Sequence, residues 1–229
     1  MSGITWLQKT DAPEALPPTS RALREPNGLL AVGGALTPEW LAHAYRRGVF
    51  PWYSAEQPIL WWAPDPRAVL LPSEFKVSRS LSRSIRNRGY VTRIDTAFEA
   101  VVEACASPRR DGTGTWITGA MHEAYLELHR RDLAHSIEVW HEDRLVGGLY
   151  GVAMGRVFFG ESMFTRERDA SKVALARLVR ECLRLDVTLI DCQLPSPHLA
   201  SLGSRILARS DFEARLVALV GAAPRPWRQ

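Results

Sequence analysis

The order of apolar and polar positions divides the chain into two stretches of different character. Up to about residue 66, turn residues dominate. Pro13, Pro17 and Pro18 open an irregular lead, and REPNGLLAVGG (24–34) sets Pro-Asn-Gly and Gly-Gly around a short apolar run. Thr37 followed by Pro38 has the form of an N-cap with proline at the first helical position. The helix it starts is PEWLAHAYRRG, with Trp40, Leu41, Ala44 and Tyr45 inward and Gly48 as its stop. Four prolines then fall between Phe50 and Pro66, among Trp52, Tyr53, Trp61 and Trp62. Prolines so dense forbid a long helix. A boundary near Ala63 to Pro66 is expected, giving domains 1–63 and 64–229.

Beyond it, longer periodic segments follow. TAFEAVVEACA (96–106) reads as a helix with Phe98, Val101, Val102 and Cys105 on one face. The glycine-bearing loop RRDGTGTWIT (109–118) leads to a second helix, GAMHEAYLELHRRD, with Met121, Ala124, Tyr125 and Leu128 inward. SIEVW, RLVGGLYGVAMG and RVFFGESMF, with the charged turn HEDR after the first, read as a three-strand antiparallel meander. DASKVALARLVRECLRLD (169–186) is a strong amphipathic helix, with Leu175, Leu178, Val179 and Cys182 inward and Arg177, Arg180 and Arg184 outward. VTLIDCQL (187–194) is a strand and SPHLASLG (196–203) a short helix ended by glycine. The second stretch thus looks like one α/β unit, and its order of helices, meander, long helix and strand has the sense of an acyltransferase fold of the acetyltransferase type.

Composition adds limits. The 229 residues are 46% hydrophobic and 24% charged, an ordinary mix for a soluble globular protein. No stretch approaches the ~20 apolar residues of a membrane span, and MSGITWLQKTDAPEALPP lacks a secretory signal pattern. A cytoplasmic protein without membrane partners is expected. Cys105, Cys182 and Cys192 form no CxxC pair, and none of the six histidines lies in HExxH, so neither a disulfide framework nor a metal is expected. The net charge is +4. It is concentrated in residues 75–94, where Lys76, Arg79, Arg83, Arg86, Arg88 and Arg93 stand without an acid. If that segment is helical, Arg79, Arg83 and Arg86 share one face, as a phosphate-binding surface or as a solvated row.

The chain contains no P-loop, no dinucleotide-binding glycine fingerprint and no nucleophile elbow. An enzyme built this way takes a substrate that is already activated. A coenzyme A acetyltransferase needs backbone N–H groups of a glycine-rich turn at the start of its long helix to hold pyrophosphate. The corresponding turn here, FTRERDASKVA, has no glycine, which argues against that donor; no cofactor is expected. Glu161 follows an apolar strand. Asp191 and Gln193 are two apart, hence on one strand face, where they can orient an amine or cap neighbouring backbone. Trp52 and Trp116 lie on loops, as base-stacking platforms or as loop anchors.

REPNGLLAVGG, FPWYS, ILWWAPDPRAVL, TWIT, HSIEVW, LVGGLYGVA, FFGESMF, ASK and LIDCQ, in that order from about Arg24 to Ser210, resemble the leucyl/phenylalanyl-tRNA–protein transferase family. The resemblance implies an α/β fold, a small N-terminal α/β domain plus a larger acetyltransferase-like (GNAT-type) α/β domain. It also implies transfer of leucine or phenylalanine, methionine less well, from aminoacyl-tRNA to an N-terminal arginine or lysine of an acceptor protein, which marks it for degradation. It implies that Trp52 and Trp116 hold the 3′-terminal adenosine. It implies an aminoacyl pocket of Leu149, Phe158, Leu175 and Leu178, with Glu161 at the acceptor and Asp191 and Gln193 as catalytic residues. Arg79, Arg83 and Arg86 would then touch the tRNA acceptor stem. Other readings are a coenzyme A N-acetyltransferase, another tRNA-dependent peptide aminoacyltransferase and a non-catalytic RNA-binding module.

Overall fold

The computed structural model describes residues 3–107, 117–223 and 225–227. The first stretch builds a four-stranded sheet from β1 (Thr5–Leu7), β2 (Leu29–Gly33), β3 (Phe50–Pro51) and β4 (Leu60–Trp62), in the order β1-β2-β4-β3. Helix α1 (Pro38–Arg46) starts where the sequence places it: Thr37 Oγ1 accepts the N–H of Trp40 at 3.4 Å. Trp40, Leu41, Ala44 and Tyr45 are buried, as the stripe predicts.

A seven-stranded sheet forms the second layer. Its strands are β5 (Arg67–Leu70), β6 (Val91–Ile94), β7 (Ala134–His141), β8 (Arg144–Met154), β9 (Val157–Thr165), β10 (Leu189–Gln193) and β11 (Arg205–Leu207). The order is β11-β5-β10-β9-β8-β7-β6. The expected meander is β7–β8–β9. Its first turn is closed by Glu142 and Asp143, both in the left-handed region at φ 48° and 60°, the geometry of a tight hairpin. From β9 the long helix α5 (Ala170–Arg184) crosses back to β10, which lies parallel to β9. The meander, the long helix and the strand after it follow in the order the sequence predicts.

The remaining helices are α2 (Arg79–Asn87), α3 (Phe98–Ala106), α4 (Gly119–Arg130), α6 (Pro197–Ser201) and α7 (Arg209–Val220). The sheet's two faces take alternate residues, as a pleated strand must. Leu149, Phe158 and Ile190 pack with α2 and α5; their neighbours Tyr150, Phe159 and Leu189 pack with α3, α4, α7 and the N-terminal layer. Two details differ from the sequence reading. Ala104 is buried in α3, while Cys105 is half-buried. β5 is buried along its whole length immediately after Pro66, although the proline-rich segment before it suggested only a boundary.

The first turn of α5 lies directly on β8. A Cβ on Gly147 would come within 2.5 Å of Ala170 Cβ and 2.9 Å of the Ala170 carbonyl carbon. Gly147→Ala therefore forces the helix away from the sheet. The expected cost is about 1–3 kcal/mol, read as a lower urea midpoint at unchanged slope.

Candidate active site

β9 and β10 pair only from Leu189↔Val157 to Asp191↔Phe159. Beyond that point β9 continues to Thr165 paired with β8, and β10 turns away. The strands thus part next to Gly160, and a cleft opens between them. Everything polar in the site is arranged around this fork.

Asp191 is fully buried at 0% exposure. Its partner is Arg67 of β5, 1% exposed, which donates Nε–H to Oδ1 at 2.8 Å and Nη2–H to Oδ2 at 2.6 Å. The guanidinium is held between two rings, with Cζ 4.8 Å from the centroid of Phe50 and 4.7 Å from that of Phe212. Asp191 Oδ1 also accepts the backbone N–H of Gln193 at 2.9 Å. That bond accompanies a left-handed conformation at Gln193, φ 62°, and a register shift between Asp191 and Gln193. The strand is therefore less regular than the sequence suggests, with a bulge between the two residues. Both still border the same cleft, the Asp191 carboxylate bound to Arg67 behind it.

There Gln193 Nε2 donates to Glu161 Oε1 at 3.0 Å. Glu161 is half-buried and also accepts two phenols: Tyr45 Oη to Oε1 and Tyr125 Oη to Oε2, each at 2.7 Å. The two hydroxyls are 2.7 Å apart. Burial raises the Glu161 carboxyl to about 7, and the negative charge of Asp191 adds to the rise. The tyrosine hydrogen bonds and Arg67 oppose it without cancelling it. Burial likewise pushes the phenols of Tyr45, Tyr125 and Tyr150 well above their ordinary value. All three remain neutral at any working pH, and Tyr45 and Tyr125 serve as donors.

A cavity of about 380 Å³ occupies the fork. Leu149, Phe158, Leu175 and Leu178 form apolar wall, together with Met163, Ile190 and Leu199; Glu161, Asp191, Gln193, Ser196 and His198 border it. An apolar chamber thus adjoins an ionisable carboxyl and an amide. Burial lowers the His198 imidazole below its usual value, with nearby Lys172 adding to the effect.

Trp52, Arg79, Arg83 and Arg86 are not among the residues that line this cavity. Trp52 follows β3, is 41% exposed, and packs edge-on to Trp62 with centroids 5.6 Å apart; Trp62 Nε1 donates to the Trp52 carbonyl at 2.6 Å. Trp116 lies outside the described residues. Arg79, Arg83 and Arg86 are exposed along α2, opposite buried Leu81 and Ser84. At the start of α5, Asp169 adopts φ 62°, and its carboxylate takes Ser84 Oγ at 2.8 Å and Lys172 Nζ at 3.2 Å. Elsewhere, Glu99, Glu103 and His122 bring one ligand atom each within 4.8 Å, an acidic cluster of a kind common on surfaces without an ion. Among the described residues no helix is long and apolar enough to cross a membrane.

Three residues of the site were not singled out from the sequence as functional. Tyr45 and Tyr125 sat on inward helix stripes and counted as core; a hydroxyl on such a stripe needs a buried partner, which was the available signal. Arg67 carried a similar one, an arginine opening the apolar run RAVLL.

The family model described as leucyl/phenylalanyl-tRNA protein transferase matches residues 69–217, and the model of that family's N-terminal domain matches residues 34–65. A leucyl/phenylalanyl-tRNA–protein transferase of Azoarcus sp. is 56% identical over 226 residues, covering 98% of this chain and 95% of that protein. One of Pseudomonas aeruginosa is 56% identical over 209 residues, covering 91% and 92%. Among solved structures, a GCN5-related N-acetyltransferase from Kribbella flavida superposes with a TM-score of 0.43 at 12% identity, over 75% of this chain and 61% of that one. The matched residues include the fork between β9 and β10: the chain belongs to the leucyl/phenylalanyl-tRNA–protein transferase family and is an aminoacyltransferase.

Proposed function

We propose that this chain moves leucine or phenylalanine, and methionine less well, from aminoacyl-tRNA to the N-terminal arginine or lysine of acceptor proteins. The transfer takes place in the cytoplasm and marks those proteins for degradation. The observation that carries the reading is the cavity at the fork. Its apolar wall of Leu149, Phe158, Leu175 and Leu178 suits an uncharged aminoacyl side chain, and its polar edge of Glu161 and Gln193 suits an amine. A chamber of this kind separates side chains by only ~1–3 kcal/mol per methylene, in keeping with several donors. Residues 1–63 and 64–229 serve as two domains, the first lending Tyr45 and Phe50 to the second's site.

In this reading the acceptor's α-amine attacks the ester carbonyl. A C–N bond forms, the C–O bond to the terminal ribose breaks, and the amine's proton ends on the departing ribose oxygen. The donor ester is already activated, so no nucleotide is consumed. An α-amine has a pKa near ~8, so roughly a tenth of it is neutral at pH 7, and the protein needs little general base. Gln193 has its Nε2 committed to Glu161 and keeps Oε1 to accept from the attacking amine. Asp191 positions Gln193 through its backbone bond rather than by meeting substrate. Ionised Glu161 supplies negative charge for the cationic acceptor terminus. The rate gain is then mainly orientation and fixed dipoles. Trp52, with its exposed ring, and Trp116 hold the terminal adenosine, and Arg79, Arg83 and Arg86 follow the acceptor stem's phosphates.

The experiment that tests the proposal is transfer of radiolabelled leucine from charged tRNA to peptides beginning with arginine, lysine or aspartate. Label on the first two alone is expected. Label on the aspartate peptide would refute the acceptor assignment, and tRNA binding without any transfer would favour a binding module.

Two sets of variants test the residue roles. Gln193→Ala should lower kcat by about 100-fold with an unchanged melting curve. Asp191→Ala should differ in kind. It leaves Arg67 charged and unpaired in the interior, a loss of about 3–5 kcal/mol visible in denaturant unfolding. Transfer at the wild-type rate by both purified variants would remove these roles.

Glu161 gives a pH signature. Its raised carboxyl ionises as pH climbs through about 7, so the wild-type KM for an arginine peptide should fall between pH 6 and pH 8. Glu161→Gln should raise that KM by about tenfold and flatten its pH dependence. A Glu161→Gln enzyme with the wild-type profile would show that the carboxylate does not meet the acceptor.

A further inference from the structure

α7 packs on one side of the sheet, and Trp227, beyond it in the chain, packs on the other. Phe212 and Leu216 of α7 pack with the face that carries Tyr150 and Phe159. Trp227 belongs to the core of the opposite face, with Phe158 and Leu149, and is only 6% exposed. The passage is anchored at the β8–β9 turn, where the Arg156 N–H donates to the Leu219 carbonyl at 3.0 Å.

What Trp227 meets there is specific. Its ring stacks on the His135 imidazole, with centroids 4.8 Å apart and planes inclined by 14°. It also leans on Phe158, with centroids 5.3 Å apart and planes inclined by 43°. His135 is itself fixed, with Nδ1 2.7 Å from Asp95 Oδ2. It sits opposite Gly151 in the β7–β8 ladder. Gly151 leaves the sheet face bare, and the Phe158 ring lies over it: a Cβ at that position would come within 2.6 Å of Phe158 Cε1. Phe158 is therefore gripped by the bare backbone of Gly151 and by the Trp227 ring. The same Phe158 is wall of the cavity at the fork, whereas Trp227 is not part of its lining.

We infer that Trp227 is a positioning residue for donor specificity: by bracing Phe158 from behind, the C-terminal tail sets the depth of the aminoacyl chamber. The inference rests on the proposed use of that chamber for the donor's side chain. Close-packed interiors transmit such support, since a ring without its neighbour relaxes into the space left behind. Loss of the Trp227 ring lets Phe158 retreat and the chamber deepen, which favours the longer phenylalanyl side chain over the leucyl one.

The test is a competition assay in which one enzyme sample receives leucyl- and phenylalanyl-tRNA carrying different labels, with an arginine peptide as acceptor. Both donors draw on the same folded molecules, so the product ratio is independent of how much of a variant is folded. Trp227→Ala should raise the phenylalanine-to-leucine ratio by about fivefold or more, the scale of small volume changes in an apolar pocket. Trp227→Phe, which restores a ring, should bring the ratio back towards wild type. A ratio unchanged in Trp227→Ala overturns the inference. So does an equal loss of both products in Trp227→Ala and Trp227→Phe while tRNA binding and the melting curve are retained. Wild-type protein that transfers neither amino acid would instead overturn the proposed function, a result the first lane reads separately.

Discussion

Arg67 and Asp191 are both removed from water, and neither tolerates that alone. An unpaired buried charge costs several kcal/mol, whereas a bidentate pair with further hydrogen bonds recovers most of the loss. The cost is met here by joining parts far apart in the chain. Arg67 opens β5, Asp191 lies on β10, Phe50 comes from the N-terminal sheet and Phe212 from α7. An interior of apolar residues alone would hold these elements as firmly. The ion pair adds direction: its oxygens are fixed, and one of them holds the next polar residue in place.

That residue is Gln193. A non-glycine residue at φ 62° sits in a sparsely populated region and stays there only when its surroundings insist. The Asp191 carboxylate does so through the backbone N–H. The turn it enforces aims the amide at Glu161, which Tyr45 and Tyr125 already hold. The order of dependence therefore runs from the rings around Arg67 to Asp191, then Gln193, then Glu161. Asp191 thus fixes the geometry of Gln193 from within the interior. The same network leaves Glu161 close to neutrality, because four neutral or distant partners do not replace the water that burial removes.

The periodic parts of this fold were readable in advance. α1, α4, α5 and the meander follow from helical stripes, alternating strands and the Thr37 cap, each a local signal. β5 was not, because RAVL is buried on both faces, shows no alternation, and follows a proline-rich segment. α7 escaped notice since only Phe212 and Leu216 are buried while Val217 is exposed, too sparse a stripe to stand out. The site divides similarly. Glu161, Asp191 and Gln193 were visible as residue types, but their geometry depends on partners about 30 to 120 positions away, and on a bulge that interrupts the strand between Asp191 and Gln193. Leu149, Phe158, Leu175 and Leu178 are ordinary core residues by pattern. Only the fork between β9 and β10 turns that part of the core into a chamber.

The fork also explains why the small N-terminal layer cannot be an independent appendage. Where β9 and β10 separate, the sheet can no longer satisfy or cover the groups it exposes, and another layer must. Tyr45 from α1 supplies a hydrogen bond to the carboxyl at the fork, and Phe50 from β3 covers the guanidinium behind it. Two side chains from the first stretch thus stabilise opposite ends of the polar network, the ionisable carboxyl and the ion pair. Separating the layers would uncover one face of the Arg67 guanidinium and remove one hydrogen bond from Glu161. The polar chemistry of the larger sheet is in this sense a property of the contact between the two layers, not of either alone.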